Sequence, residues 1–310
     1  MTTSSRQAYG EALVELGKTK SHVVVLEADL GKSTMTTLFA AAYPGRYFQM
    51  GIAEQNMASV AAGLALTGKT AFINSFAVFA SGRPYDQIRS SICIPRLNVK
   101  ICGSSAGLSD FGDGKTHQSV DDIAIMRVLP NMTVLSPVDA VETEQMVIAM
   151  AEWNGPCYIR INRNDLPILT DLSQEYTIGK MNLMREGGDV VVFASGIMVS
   201  HALMAAQALE SAGISLRVVN VSTIKPLDAQ AVKNYCKGMK GVVTAEEHNI
   251  YGGLGSAILE ALSTVRIPVM LLGINDTFGT SAMKYEELLE KYHLMPIDII
   301  EKVKAVLALE

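Results

Sequence analysis

The residues best suited to chemistry lie between Phe48 and Phe79, where one acid and two aromatic rings occur close together. The apolar spacing predicts a helix that begins near residue 52 and has an apolar face made of Met57, Val60, Ala61 and Leu64. Glu54 precedes Met57 by three residues, so its side chain is expected on this apolar face. A buried carboxylate needs a partner or a shifted pKa, because an unpaired buried charge is costly.

Two aromatic residues follow this helix in the chain. A strand at residues 70–73 is predicted to lead into a loop that contains Phe76 and Phe79, in a sequence with only 6% aromatic residues. A buried acid beside aromatic rings is a suitable environment for a flat heteroaromatic cofactor. Two alternatives stay open. Glu54 can be an ordinary acid in a first helical turn, favoured by the helix dipole, and Phe79 can be a core residue.

Other polar residues are expected at the carboxyl ends of parallel strands, where α/β sheets bind ligands. Asp29 follows a strand predicted at residues 23–26, and capping a helix is its alternative role. Asp113 and His117 lie in a long loop, residues 103–118, after a strand predicted at 99–102. A lone histidine is often structural, but at such a position it suits proton transfer near neutral pH.

The elements that position these residues alternate between strand and helix. In residues 1–168, strands are predicted at 23–26, 47–48, 70–73, 99–102, 133–135 and 157–161, with helices between them. Residues 169–186 are expected to form a linker or a short hairpin, and a second, smaller alternation fills residues 187–310. The predicted fold class is α/β, with two consecutive domains that each have a mainly parallel sheet between layers of helices.

The composition narrows the function further. The 310 residues are 49% hydrophobic and 18% charged, as in a protein with large buried cores or subunit interfaces. The net charge of −5 is spread along the chain, so neither nucleic-acid nor membrane-surface binding is expected. The polar start has no secretory signal, and the apolar runs are too short to span a bilayer. Four scattered cysteines indicate reduced thiols in the cytoplasm rather than metal ligands.

Three separate motifs resemble the transketolase family of thiamine diphosphate enzymes. They are GIAEQNM at residues 51–57, SFAVFASGRPYDQIR at 75–89 and DFGDGKTHQ at 110–118. The resemblance covers nearly the whole chain and keeps the family's order. It implies a thiamine diphosphate pyrimidine-binding domain at residues 1–168 and a transketolase C-terminal domain at 187–310. The implied activity is transfer of a two-carbon ketol unit between sugar phosphates, with thiamine diphosphate and Mg²⁺.

The resemblance also implies roles for cofactor-binding residues. Glu54 matches the glutamate that hydrogen-bonds the pyrimidine ring nitrogen and thereby helps to activate the cofactor. Phe76 matches the ring that stacks on the pyrimidine, and Phe79 matches a further aromatic position. Asp29 matches an acid near the thiazolium side of the cofactor.

Further residues match the substrate channel of the family. His117 matches a histidine that handles protons, and Asp113 matches a contact to a substrate hydroxyl. The phosphate-binding positions correspond to Arg6, Ser33 and Arg163, and the fork of an arginine pairs well with phosphate oxygens. Ser105 occupies the place of another phosphate-contacting histidine. A nonstandard sugar phosphate or another anionic substrate is therefore an open alternative.

The sequence also departs from the family's metal and diphosphate motif. Gly112-Asp113-Gly114 resembles its start, but the asparagine that ends the motif is missing at the required spacing. We therefore expect no metal site in this chain and a separate N-terminal transketolase subunit as partner, with two copies of each subunit. The open alternatives are half of another thiamine enzyme, resembling deoxyxylulose phosphate synthase or a 2-oxoacid dehydrogenase beta subunit, and a noncatalytic regulatory subunit.

Overall fold

A computed structural model describes residues 2–173 and 175–309, which form two α/β units built on separate sheets. The strands of the first part are β1 (Thr2–Ser4), β2 (Val23–Glu27), β3 (Tyr47–Gln49), β4 (Thr70–Phe76), β5 (Val99–Ser104), β6 (Thr133–Leu135), β7 (Cys157–Ile161) and β8 (Asp165–Pro167). Its α-helices are α1 (Ser5–Thr19), α2 (Thr37–Ala42), α3 (Glu54–Leu66), α4 (Ala77–Gly82), α5 (Tyr85–Gln87), α6 (Asp122–Arg127) and α7 (Ala140–Glu152). Short 3₁₀ turns at Pro44–Arg46 and Gly114–Thr116 and a π-helical turn at Ile88–Cys93 complete this part.

The second part has the same alternation. Its strands are β9 (Asn182–Arg185), β10 (Val190–Ala194), β11 (Leu216–Asn220), β12 (Thr223–Lys225), β13 (Gly241–Asn249) and β14 (Val269–Ile274). Its helices are α8 (Met198–Glu210), α9 (Ala229–Tyr235), α10 (Leu254–Ala261), α11 (Tyr285–Lys291) and α12 (Pro296–Leu307). None of the helices in the described part of the chain combines the length and apolar character that crossing a membrane requires.

The sheet order confirms the predicted α/β class. The first sheet has the order β12-β6-β7-β5-β4-β2-β3, and all its strands except β12 run parallel. The second has the order β14-β13-β10-β11-β9, with only β9 antiparallel. Apolar residues cover both faces of each sheet. Every side chain of β2 and β10 is buried, which explains their nearly continuous β-branched sequences.

Two strands, β9 and β12, do not follow the predicted division of the chain into two domains. Strand β9 lies within the segment predicted as a linker or hairpin, and it pairs with β11 at the edge of the second sheet. Strand β12 comes from the C-terminal part of the chain, yet it pairs with β6 and extends the first sheet. The domain limits at residues 168 and 186 stay a prediction.

A short ribbon joins the two ends of the first part. Strands β1 and β8 pair antiparallel, with Ser4 opposite Asp165. The Oγ of Ser4 accepts a hydrogen bond from the Gln7 backbone amide at 3.3 Å and caps α1. The ribbon therefore fixes the start of α1 beside the segment that follows β7.

Candidate active site

Glu54 is buried, as its position on the apolar face predicts. It opens α3 and is 2% exposed. Its Oε1 accepts a hydrogen bond from Arg83 Nη1 at 2.7 Å, so the buried carboxylate has a charged partner. The guanidinium carbon of Arg83 lies 4.0 Å from the ring centre of Phe79. A planar cation is thus held between a carboxylate and an aromatic ring.

The aromatic rings form one cluster with His117. The ring centres of Phe79 and His117 are 5.3 Å apart, and the rings meet edge to face at 76°. The ring centre of Phe76 lies 6.2 Å from those of both Phe79 and His117. Strand β4 extends to Phe76, and Phe79 lies in α4, so neither ring is in the loop that the sequence predicts. Helix and strand hold these rings more rigidly than a loop would.

Two arginines lie side by side next to this cluster. Arg6 Nε donates to the Arg163 backbone oxygen at 3.1 Å, and Arg6 Nη1 donates to the Ser33 backbone oxygen at 2.9 Å. The Arg163 guanidinium pairs with Asp110 at 2.8 Å and lies 5.8 Å from the ring centre of Phe76. Burial and the nearby Arg163 charge lower the pKa of Arg6. Two neighbouring guanidinium groups create a positive potential that favours an anion.

The buried carboxylate of Glu27 holds the loop that contains Ser33 by accepting four hydrogen bonds. One carboxyl oxygen accepts from the Ala28 and Leu30 backbone amides at 3.1 Å, and the other accepts from the hydroxyls of Thr34 and Thr36 at 2.8 and 2.7 Å. Burial raises the pKa of Glu27 to about 7, against the opposing effect of these four donors. An acid inside an otherwise apolar strand is the sequence signal for this residue, and the sequence reasoning gave it no role.

Asp29 lies in the same loop but outside the contact cluster. It is exposed and has a φ of 63°, and its backbone amide donates to Gln49 Oε1 at 2.9 Å. Asp29 and Ser33 line one cleft between this loop and β3. Asp113 is also exposed and lies in the loop before the turn that leads to His117. Both exposed acids therefore lie outside the contact cluster around Glu54 in the described part of the chain.

Ser105, like Glu54 and Phe76, is buried. It follows β5, has a φ of 54° and is 0% exposed, and its Oγ has no hydrogen-bond partner in the described part of the chain. A histidine at this position would need more room than the serine occupies. The loop next to the cluster is therefore shaped around a small side chain.

Residues 2–173 and 175–309 contain no cluster of three or more histidine, cysteine, aspartate or glutamate residues with metal-binding geometry. The four cysteines, Cys93, Cys102, Cys157 and Cys236, are all buried and free.

The sequence matches two domain families in consecutive order. The pyrimidine-binding domain of transketolase matches residues 1–168, and the C-terminal domain of transketolase matches residues 179–299. The fold and these two matches thus define a protein of two transketolase-type α/β domains. The chain belongs to the transketolase family and corresponds to the C-terminal section of its members.

Three similar proteins place the chain more closely within the family. A Methanocaldococcus jannaschii protein described as a transketolase C-terminal section is 44% identical over 302 residues, which cover 96% of this chain and 94% of that protein. A 6-deoxy-6-sulfo-D-fructose transketolase subunit from a Clostridium species is 40% identical, covering 95% and 92%. The solved structure of a split-gene transketolase, described as an inactive beta4 tetramer, is 47% identical, with a TM-score of 0.92 and 99% coverage of both chains.

Arg83 is the main site residue that sequence reasoning missed. It lies in the motif at residues 75–89 that carries the family resemblance, but its pairing with Glu54 joins residues 29 positions apart on different helical segments. Apolar periodicity predicts that Glu54 faces inward, and it does not identify the partner.

Proposed function

We propose that this chain is the C-terminal subunit of a split transketolase, which transfers a two-carbon ketol unit between a ketose phosphate and an aldose phosphate. One observation carries the proposal: a continuous set of contacts joins Glu54, Arg83, Phe79, His117, Phe76, Arg163, Arg6 and Ser33. A carboxylate and aromatic rings lie at one end of this set, and paired arginines lie at the other. A cofactor-binding end and an anion-binding end are what ketol transfer requires.

The first end has the chemistry that an aminopyrimidine needs. Members of this family use thiamine diphosphate with a divalent metal, and bound thiamine diphosphate supplies a carbon nucleophile and an electron sink. Glu54 and Phe79 already hold a flat, nitrogen-bearing cation, so they fit a flat ring whose nitrogen pairs with a carboxyl group. Glu54 holds a proton at that ring nitrogen. Phe79 offers a ring face beside Glu54, and Phe76, the ring to which the family resemblance assigns stacking on the pyrimidine, lies 6.2 Å from Phe79.

The other end has the chemistry that a sugar phosphate needs. Arg163 and Arg6 bind the anionic group of the substrate, and the Glu27-supported loop presents Ser33 beside them. His117 lies between the two ends and transfers protons to and from the substrate hydroxyls. Asp113 in the same loop contacts a further hydroxyl.

The diphosphate and its metal, Mg²⁺, are held by a separate N-terminal subunit. The absence of the complete diphosphate motif from the sequence supports this arrangement. The description of a similar split-gene protein as an inactive beta4 tetramer also supports it, because that protein has assembled without activity. The active assembly contains two copies of each subunit.

The test measures ketol transfer from xylulose 5-phosphate to ribose 5-phosphate with thiamine diphosphate and Mg²⁺. We expect no turnover by this chain alone and turnover after its N-terminal partner is added. Glu54→Gln should abolish turnover while the complex still forms by size-exclusion chromatography. Full activity of the isolated chain, or an active Glu54→Gln complex, would contradict the proposal.

A second set of substrates tests whether the complex is a transketolase that uses a different donor sugar. A relative is described as a 6-deoxy-6-sulfo-D-fructose transketolase subunit, and Ser105 departs from the family's phosphate-binding pattern. If the complex forms but leaves pentose phosphates unchanged, 6-deoxy-6-sulfofructose is the next donor to assay. A complex that instead decarboxylates a 2-oxoacid would identify half of another thiamine enzyme.

A further inference from the structure

The loop that contains His117 is closed at its base by two backbone hydrogen bonds. Gly107 and Ser119 exchange them at 2.9 and 3.0 Å. Between these two residues the loop has only one short 3₁₀ turn of its own. Within the loop, the Gly114 backbone amide donates to the Asp110 backbone oxygen at 3.3 Å and the Gln118 amide donates to the Gly114 oxygen at 3.0 Å. Asp110 also pairs with Arg163 of the first part. The position of the loop depends, in addition, on what packs against its base.

Glu247, in β13 of the second sheet, reaches the base of this loop. Its Oε1 accepts a hydrogen bond from the Leu108 backbone amide at 2.7 Å, and its Oε2 accepts from Asn162 Nδ2 at 3.3 Å. Glu247 is 5% exposed, so the bonds are shielded from water. Gly107 has a φ of +66°, and a Cβ there would collide with the Glu247 carboxyl group. The close approach thus requires glycine at residue 107.

A second segment of the C-terminal part holds the other side of the loop. The Ala282 backbone amide donates to the Phe111 backbone oxygen at 2.9 Å, and Gln118 Nε2 donates to the Thr280 backbone oxygen at 2.9 Å. A Cβ at Gly279 would collide with the Gln118 side chain. The second part of the chain therefore contacts the loop on both sides of His117.

We propose that Glu247 is a positioning residue, through which the second domain holds the His117 loop in the conformation that meets the substrate. The geometry gives this domain a role in the reaction although none of its residues lies in the contact cluster around Glu54. The kinetic consequences rest on the proposed ketol transfer, whereas the consequences for loop exchange do not.

The neighbouring residue provides a matched control. Glu246 is also buried and lies one position earlier in β13, but its carboxylate accepts from the Leu254 and Gly255 backbone amides at 2.7 and 2.8 Å. Both donors lie in α10, within its own unit. Glu246→Ala therefore removes an equally buried acid without touching the loop.

Hydrogen–deuterium exchange of the isolated chain tests the contact directly. Loss of one hydrogen bond to a charged group should speed exchange of the Leu108 amide and its loop by about tenfold in Glu247→Ala. Glu246→Ala should leave residues 107–118 unchanged and speed exchange near residue 254 instead. Equal loop exchange in the two variants would overturn the proposal. If Glu247→Ala does not fold, Glu247→Asp must speed loop exchange instead, because its shorter side chain withdraws the carboxylate from the Leu108 amide, and an unchanged loop there would also overturn the proposal.

Kinetics of the assembled complex distinguish a positioning role of Glu247 from a general loss of folded structure. Glu247→Ala should raise the KM for the ketose phosphate by about tenfold and lower kcat, while the affinity for thiamine diphosphate stays unchanged because Glu54 and Phe79 are untouched. Glu247→Gln should restore both values in part, since its amide oxygen still accepts from Leu108 while its amide nitrogen cannot accept from Asn162 Nδ2. A Glu247→Gln complex as impaired as Glu247→Ala would contradict the positioning role. A wild-type complex without ketol transfer would refute the proposed function and leave the exchange result standing.

Discussion

Replacing Arg83 with alanine tests the buried end of the site without cofactor or partner. Arg83 is 43% exposed at its side chain and Glu54 is 2% exposed, so their ion pair is neither fully buried nor freely solvated. Breaking a buried pair costs about 3–5 kcal/mol and breaking an exposed pair costs about 0–1 kcal/mol. We place this half-buried pair at about 1.5 kcal/mol. For a domain of this size, that loss corresponds to a Tm decrease of about 3–6 °C.

The assay is thermal unfolding of the isolated chain at a fixed protein concentration, because self-association would shift the Tm. Glu54→Gln added to Arg83→Ala should recover at least half of the decrease, since it removes the unpaired buried charge. Glu210→Ala is the matched control, because it breaks an exposed pair with Arg185 at 3.0 Å and should change the Tm by about 1 °C at most. If the double variant is no more stable than Arg83→Ala, the buried charge is not the cause of the loss.

Two further predictions concern other buried acids. Because the folded-state pKa of Glu27 is about 7 and its unfolded value is 4.5, the folded state binds more protons between these values. Glu27 should therefore lower stability as pH rises from about 4.5 to about 7. Glu27→Gln should flatten this part of a Tm-against-pH curve, because it removes the titrating group and keeps a polar side chain beside Thr34 and Thr36; an unchanged slope would argue against it. Asp122 pairs with Arg160 at 2.9 Å, and both are buried. Asp122→Ala should cost about 3–5 kcal/mol in urea unfolding, and a cost below about 1 kcal/mol would argue against the buried charge.

The sequence predicts long elements well because their apolar periodicity is strong. The strand predicted at residues 157–161 agrees with β7 at both ends. The inward position of Glu54 follows from the same periodicity and is confirmed. The strands that escape prediction, such as β1, β8 and β12, each have three residues. Strands β8 and β12 also break the alternation with helices, since each directly follows another strand.

Those short strands nevertheless determine part of the site. The β1–β8 ribbon brings together Arg6 and Arg163, which are 157 positions apart in the chain. Resemblance to a family could name both residues, but no local pattern indicates that one donates to the backbone of the other. The contact between Glu247 and Leu108 spans 139 positions and two sheets, and it escapes local sequence analysis for the same reason.

The pairing of Glu54 with Arg83 bears on two properties of the subunit: its stability without cofactor, and the access of a cofactor to the Glu54 carboxylate. An unpaired carboxylate on an apolar helix face would weaken the fold whenever cofactor is absent. Arg83 removes this cost by pairing with the carboxylate. Because the Arg83 side chain is 43% exposed, it can move away from Glu54 into solvent. A flat cofactor ring that uses the same carboxylate and the same face of Phe79 must displace the guanidinium from at least one of them. On the proposed function, cofactor binding is therefore linked to release of Arg83, and Arg83→Ala should strengthen thiamine diphosphate binding by the assembled complex, as measured by calorimetry. Weaker binding in that variant would mean that Arg83 assists the cofactor instead of competing with it.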